Sequence, residues 1–322
     1  MSDTDDEELT YSNAGVDIAD SEAATAALVS SIGDSEGDYA GLLDIGDRYL
    51  ALATDGVGTK LLVAEALDDY STIGIDCIAM NANDLVAAGV EPVAFVDYLA
   101  VDEPDEDIAQ QVGEGLSAGA EEAGLALVGG ETAVMPDVIT GLDLAGTCAG
   151  LAPKEAVFEG RAEPGDQLVG WPSSGIHSNG LTLAREAATR EGGYEEGFPF
   201  EGYETVGEAL LEPTRLYTDL LEPMRSYGTR GAAHITGGGW TNLERLGEHR
   251  YVIEDPCPAQ PVFEFIQEAG VTDEEMYRTF NMGAGFVAGL SEGAEALADE
   301  TNGRIIGRVE RGEGIDIRGL VL

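Results

Sequence analysis

At 322 residues and 43% hydrophobic content, the chain is long enough to bury one large core or two smaller ones. Its 62 acidic residues against 16 basic ones leave a net charge of −46, which argues against nucleic acid or an anionic membrane as partner. The same balance suits a very salty cytoplasm, where about 1 M salt shortens the screening length to about 3 Å.

Cys77, Cys148 and Cys257 are isolated and lack metal-ligand spacing. No secretory leader or membrane-length apolar run is visible, so a cytoplasmic protein is expected. Residues 1–9 read as an acidic disordered tail. Ile18 to Ile32 is Ala-rich with helical spacing, and Gly33 to Gly46 reads as an acidic loop. Arg48 to Ala53 predicts a buried strand, Thr54 to Lys60 (TDGVGTK) a glycine turn, and Leu61 onward a helix. Strand, glycine turn and helix aim backbone N–H groups at an anion. Asp55 adds a carboxylate, and Lys60, one of two lysines in the chain, adds a cation. A phosphate with its divalent metal would use all of these. A plain tight connection would equally use Gly56 and Gly58, and the Walker A spacing is absent.

Thr72 to Gly89 predicts a helix that is apolar nearly all round, yet Asp76, Asn83 and Asp84 fall within an arc of about 100°. A buried polar stripe needs partners. A bound cation would supply them; so would a loop capped by Asp76 and an Arg paired with Asp84. Val93 to Val101 predicts a strand, Pro104 to Gly124 a helix opened by acids, and Leu125 to Val128 a strand running into Gly129, Gly130, Glu131 and Thr132. Gly141 to Gly150 is a further strand. The polar stretch from Pro153 to Pro164 marks a boundary between domains 10–161 and 162–322.

In the second half, Gln167 to Trp171 predicts a strand. Ser173 to Gly180 (SSGIHSNG) then precedes a helix from Leu181 to Arg190. Hydroxyls and a His before a helix N-terminus suit a phosphate or sugar, or simply N-capping by Ser178. Glu191 to Glu204 reads as a surface loop and Pro213 to Tyr227 as helix. Ala232 to Ile235 leads to Thr236, Gly237, Gly238 and Gly239 and a helix through Leu246. His234 reads as a core His and His249 as a surface one. Pro261 to Gly270 and Asp273 to Arg278 predict helices; Phe286 to Leu290 and Gly303 to Arg311 predict strands. Alternating strands and helices predict two α/β domains with a site in the cleft between them.

Taken together, the blocks TDGVGTK (54–60), TIGIDCIAMNANDLVAAGVEP (72–92), LVGGETAVMP (127–136), SSGIHSNG (173–180), LLEPTRLY (210–217), AHITGGG (233–239) and EMYRTFNMGAGF (275–286) resemble the aminoimidazole ribonucleotide synthetase family. The resemblance runs from Tyr11 to Arg308. It implies a two-domain α/β synthetase of α+β layers, with N-terminal sheets pairing into a barrel in a homodimer. It also implies ATP- and Mg²⁺-dependent ring closure of formylglycinamidine ribonucleotide.

By that resemblance Asp55, Asn83, Asp84 and Glu131 are metal candidates. Asp55, Gly56, Gly58, Thr59, Lys60, Gly129, Gly130 and Glu131 are ATP-site candidates. Ser174, Ser178, Asn179, Thr236, Gly237, Gly238, Gly239, Arg278 and Asn281 would face substrate. Lys60, Asp84 and His177 are the catalytic candidates, His177 as proton carrier. Ser12 stands where many relatives carry Lys, the loop before Arg48 is short, and Met282 replaces a common Cys. Thiamine-monophosphate kinase and selenophosphate synthetase are the alternatives within the superfamily; a non-catalytic nucleotide-binding scaffold is the alternative outside it.

Overall fold

The computed structural model describes residues 9–15, Ala23, Ala27 and 39–322; residues 1–8 and most of the expected helix and loop between 18 and 38 lie outside the described residues. Two sheets organise what is described. The first contains β1 (Gly41–Asp44), β2 (Arg48–Gly56), β3 (Glu91–Val101), β4 (Ala126–Val134) and β5 (Leu142–Pro153), in spatial order β1-β2-β5-β3-β4. Its pairings are antiparallel except β3 with β4. The end of the expected acidic loop is thus strand β1. Helices α1 (Leu61–Leu67), α2 (Ile73–Ala87) and α3 (Glu106–Ala123) accompany this sheet, with α2 packed against β2, β3, β5 and α3.

The second sheet runs β12-β11-β8-β10-β6-β9-β7. Its strands are β6 (Gln167–Pro172), β7 (Gly231–His234), β8 (Arg250–Ile253), β9 (Ala284–Leu290), β10 (Arg304–Glu310), β11 (Ile315–Ile317) and β12 (Leu320–Val321). Helices α4 (Leu181–Arg190), α5 (Val206–Leu211), α6 (Leu221–Ser226), α7 (Pro261–Glu268), α8 (Asp273–Thr279) and α9 (Ala294–Thr301) complete this half. The two-domain α/β expectation holds, though most strand pairs are antiparallel.

Helix α2 is the hinge of the architecture. Ile73, Cys77, Ile78, Ala82, Leu85 and Val86 are fully buried, as its all-round apolar sequence requires. It sits under the first sheet and also touches β7 of the second. The predicted helix from Pro213 to Tyr227 is a correction: residues 213–217 are non-helical, a short 3-10 turn spans Thr218–Leu220, and α6 begins only at Leu221. The backbone N–H groups of Thr214 and Tyr217 donate instead to Asp76 Oδ1 and Asn83 Oδ1, at 2.8 and 2.9 Å. Side chains of α2 have claimed the donors that a helix would have used.

Across the first sheet, Asp55 pairs with Gly146, Gly146 with Asp97, and Asp97 with Gly130. This row alternates carboxylate and glycine over four strands. A Cβ at Gly146 would lie 2.0 Å from Phe95 Cζ, and one at Gly130 would lie 2.3 Å from Asp97 Oδ1. Each glycine is therefore the space that its neighbour's side chain occupies.

Candidate active site

The TDGVGTK turn closes β2. The Gly56 N–H donates to Asp55 Oδ1 at 2.8 Å, which fixes the carboxylate at the mouth of the turn. The 3-10 turn Gly58–Lys60 follows, with Gly58 in the left-handed region at φ +68°. Thr59 Oγ1 lies 3.2 Å from Thr182 Oγ1 on α4, so the turn already touches the second half of the chain.

The three polar residues of α2 have three different partners. Asp76 is enclosed and meets Lys60. Asn83 donates through Nδ2 to Arg215 O at 2.9 Å and accepts the Tyr217 N–H through Oδ1. Both its amide atoms are engaged, so it is a clasp between the halves and not an open metal ligand. Asp84 Oδ1 lies 2.9 Å from His234 Nδ1. His234 is therefore partnered, and its partner is a site carboxylate. The Asp55 carboxyl is pushed up, chiefly by desolvation and then by the Asp84 charge; the Gly56 N–H and His234 act in the opposite sense. The Asp84 charge is thus near enough to act against the ionised form of Asp55.

Glu131 does not join them. Gly130 pairs with Asp97, and strand alternation sends the next residue of β4 to the other face of the sheet. Among the described residues, no group of three or more His, Cys, Asp or Glu side chains could hold a metal ion. Of the four expected metal residues, Asn83 is engaged by the 215–217 backbone and Glu131 lies on the other face of the sheet, which leaves Asp55 and Asp84 as the neighbouring pair. Asp97 is a carboxylate that sequence reading passed over. It sits on β3 between Phe95 and Leu99, both buried, and desolvation pushes its carboxyl up. An acid at a core-facing position of an alternating strand was the available signal.

The 173–180 loop is knitted from both sides. Ser174 Oγ donates to Pro213 O and Ser178 Oγ to Asp76 Oδ1, the latter at 3.0 Å. Asn281 is buried; its Nδ2 donates to Gly175 O and Ile176 O, and its Oδ1 accepts from Ser173 Oγ and the Gly283 N–H. It shapes the loop from beneath instead of facing a ligand.

The His177 reading also changes. This residue is 1% exposed, holds φ at +66°, and accepts the Ser174 N–H through Nε2 at 3.2 Å. Its pKa lies well below the ordinary value, first from desolvation and then from the nearby His234, Lys60 and Arg215. It is a neutral, enclosed imidazole that organises the turn. Between its folded and unfolded pKa values the unfolded chain binds a proton that the folded chain does not. Its contribution to stability is therefore lost as pH falls below about 6.5. Urea unfolding at mildly acidic and neutral pH is expected to show a smaller pH dependence for His177→Asn than for the parent; equal dependence would contradict this.

Thr236 and Gly237 are the accessible part of the AHITGGG turn, while Gly238 and Gly239 are buried. A Cβ at Gly237 would lie 3.3 Å from Asn179 Oδ1, so this turn and the 173–180 loop meet. A Cβ at Gly239, at φ +55°, would lie 2.3 Å from Tyr277 O, which makes it a close-packing glycine. Arg278 lies on α8, where its Nε donates to Glu274 Oε1 at 3.0 Å and the side chain stays half-exposed. Gly129 borders open space on β4. What assembles between the halves is one carboxylate pair, one glycine turn and two polar loops. Together they can hold an anionic ligand beside a cation and a second, hydroxyl-bearing ligand against the loops.

Residues 37–152 match the family described as AIR synthase related protein, N-terminal domain, and residues 163–319 match its C-terminal domain. Phosphoribosylformylglycinamidine cyclo-ligase of Methanosarcina mazei is 46% identical over 328 residues, covering 98% of each chain. The protein of the same name from Thermococcus kodakarensis is 50% identical over 296 residues, covering 87% of each. Among solved structures, AaThiL complexed with AMPPCP and TMP has a TM-score of 0.68 at 18% identity, covering 94% of each chain, a likeness of fold alone.

Proposed function

Because the chain belongs to the AIR synthase related family, we propose that it uses ATP to close the imidazole ring of formylglycinamidine ribonucleotide, releasing aminoimidazole ribonucleotide, ADP and phosphate. The observation that carries this is the similarity over almost the whole chain to relatives named for that ring closure. Kinase and selenophosphate alternatives lack that support, and so does a scaffold.

The chemistry begins with a poor leaving group, the amide oxygen. Transfer of the γ-phosphoryl group of ATP to that oxygen makes it the oxygen of a good leaving group. The amidine nitrogen then attacks the same carbon, and phosphate departs with the former amide oxygen. Two anionic ligands must be gathered by a chain of net charge −46. Asp55 and Asp84 fit a divalent cation, since a cation between them relieves the repulsion that raises Asp55. Bound Mg²⁺ would neutralise phosphate oxygens there.

The chain's own groups do the remaining work. Gly58 offers a backbone donor and Thr59 a hydroxyl to the phosphates, while the Gly56 N–H holds the Asp55 carboxylate in place. His234 holds the orientation of Asp84. Ser174, Asn179, Thr236 and Gly237 border the second ligand, and the fixed loops hold its amidine beside the activated carbon. Such alignment is worth up to about 7–11 kcal/mol of barrier in well-oriented systems. ADP release that requires formylglycinamidine ribonucleotide is the expected result. ADP release that follows thiamine monophosphate instead would contradict the assignment.

Two further properties belong to this reading. Leu52, Val96 and Tyr98 are 47%, 40% and 43% exposed on the sheet face away from α2. A second copy covering that face forms the homodimer, and sedimentation should find a dimer; a monomer at micromolar concentration would count against it. The acidic surface fits high salt. The unfolding temperature should rise steadily from about 0.1 to about 2 M KCl as like charges are screened. A flat or falling temperature would remove that inference.

A further inference from the structure

Lys60 and Asp76 form a fully enclosed salt bridge, with Nζ 2.9 Å from Oδ1 and 2.8 Å from Oδ2, and neither side chain has any exposed surface. Their remaining bonds all run to the second half of the chain. Lys60 Nζ donates to Glu212 O at 2.6 Å. Asp76 Oδ1 accepts from Ser178 Oγ at 3.0 Å, from the Thr214 N–H at 2.8 Å and from Thr214 Oγ1 at 2.6 Å. Ser178 Oγ and Thr214 Oγ1 also lie 3.2 Å apart. An ammonium has three protons. Among the described residues its close oxygens are those of Asp76 and Glu212, and the Lys60 side chain has no exposed surface to offer a phosphate.

We propose that Lys60 and Asp76 are a positioning pair that docks the 173–180 loop and the 212–217 segment onto α2, and so sets the affinity for the ribonucleotide without touching ATP. The identity of that ligand rests on the cyclo-ligase reading. The pair acts on the loop that carries Ser174 and Asn179, and the same loop abuts Gly237. Asn83 repeats the device further along α2 through Arg215 O and the Tyr217 N–H. Two side chains of one N-terminal helix thus hold one C-terminal segment out of a helix. The loop's geometry is then set by charge-assisted bonds, which a neutral contact of the same size would not replace.

Thr214→Val tests this, because it removes the 2.6 Å bond while keeping the buried volume, and Thr214→Ser restores the hydroxyl. Loss of a hydrogen bond to a charged group should raise the KM for formylglycinamidine ribonucleotide about tenfold. The KM for ATP should stay within about twofold, and Thr214→Ser should recover the parent's value. Amide hydrogen exchange provides a readout independent of turnover. Residues 174–180 and 212–216 should exchange faster in Thr214→Val, with β2 and β5 unchanged. A shift in the KM for ATP alone would return Lys60 and Asp76 to the phosphate site. Unchanged exchange in both segments would overturn the docking role outright. If the parent protein fails to form ADP with this ribonucleotide, the ligand assignment falls, while the exchange result still decides the docking.

Discussion

Lys60→Met should lower the unfolding free energy by about 3–5 kcal/mol, the range expected when one member of a buried ion pair is removed. Methionine fills the space of the lysine stem, so little packing is lost. What is lost is the counter-charge of Asp76, which no solvent can reach. Four contacts on that carboxylate depend on its charge: Lys60 itself, Ser178 Oγ and both donors of Thr214. Adding Asp76→Asn to Lys60→Met should recover part of the stability, because an amide is far cheaper to enclose than an unpaired carboxylate. Urea midpoints of the parent, the single variant and the pair measure this. A loss within about 0.5 kcal/mol for Lys60→Met, the size of an ordinary surface change, would mean that the pair is not the buried link described here.

Asp84→Asn should lower kcat/KM about 10²- to 10³-fold, comparable to removing a preorganised electrostatic group from an active site. Asparagine keeps the shape and an oxygen for His234 Nδ1, so the fold should change little. Only the negative charge facing Asp55 disappears. With that charge gone, the Asp55 carboxyl loses the second of the causes that raise it. Half-maximal activity should then require a higher Mg²⁺ concentration. Near-normal turnover at ordinary Mg²⁺ would remove Asp84 from the cation site, and Asp55 with it, since neither carboxylate has another described partner for that role.

Much of the fold was legible because its elements carry strong periodic signals. Helix α4 begins and ends where its sequence pattern does, and α2 was recognisable from an apolar run too long and too round for a surface helix. Short strands such as β8, β11 and β12 carry two to four residues each, too few to show alternation. Helix α5 was missed although Thr205 and Glu208 form a capping box, a signal present in the letters.

The site was legible as a set of stretches, but not as a set of partners. Sequence spacing placed Asp76, Asn83 and Asp84 on one stripe. Only the tertiary arrangement assigns the first to Lys60, the second to the 215–217 backbone and the third to His234. The same limit explains Pro213 to Tyr227, where local propensity suggested helix and the acceptors on α2 drew the backbone out of it. Lys60 was singled out by its rarity in the composition, which marked its importance while leaving its role to the structure. Glu131 was grouped with Asp55 by the family resemblance, and the period of two along β4 places it on the opposite face from Gly130.

In the proposed ring closure the amide oxygen of the substrate leaves as part of inorganic phosphate. Formylglycinamidine ribonucleotide carrying heavy oxygen in its formyl group, turned over with unlabelled ATP in ordinary water, tests that directly. The mass spectrum of the inorganic phosphate should contain one heavy oxygen for each aminoimidazole ribonucleotide formed. Heavy oxygen found in the water, with unlabelled phosphate, would show that the oxygen departs without being phosphorylated and would contradict the account.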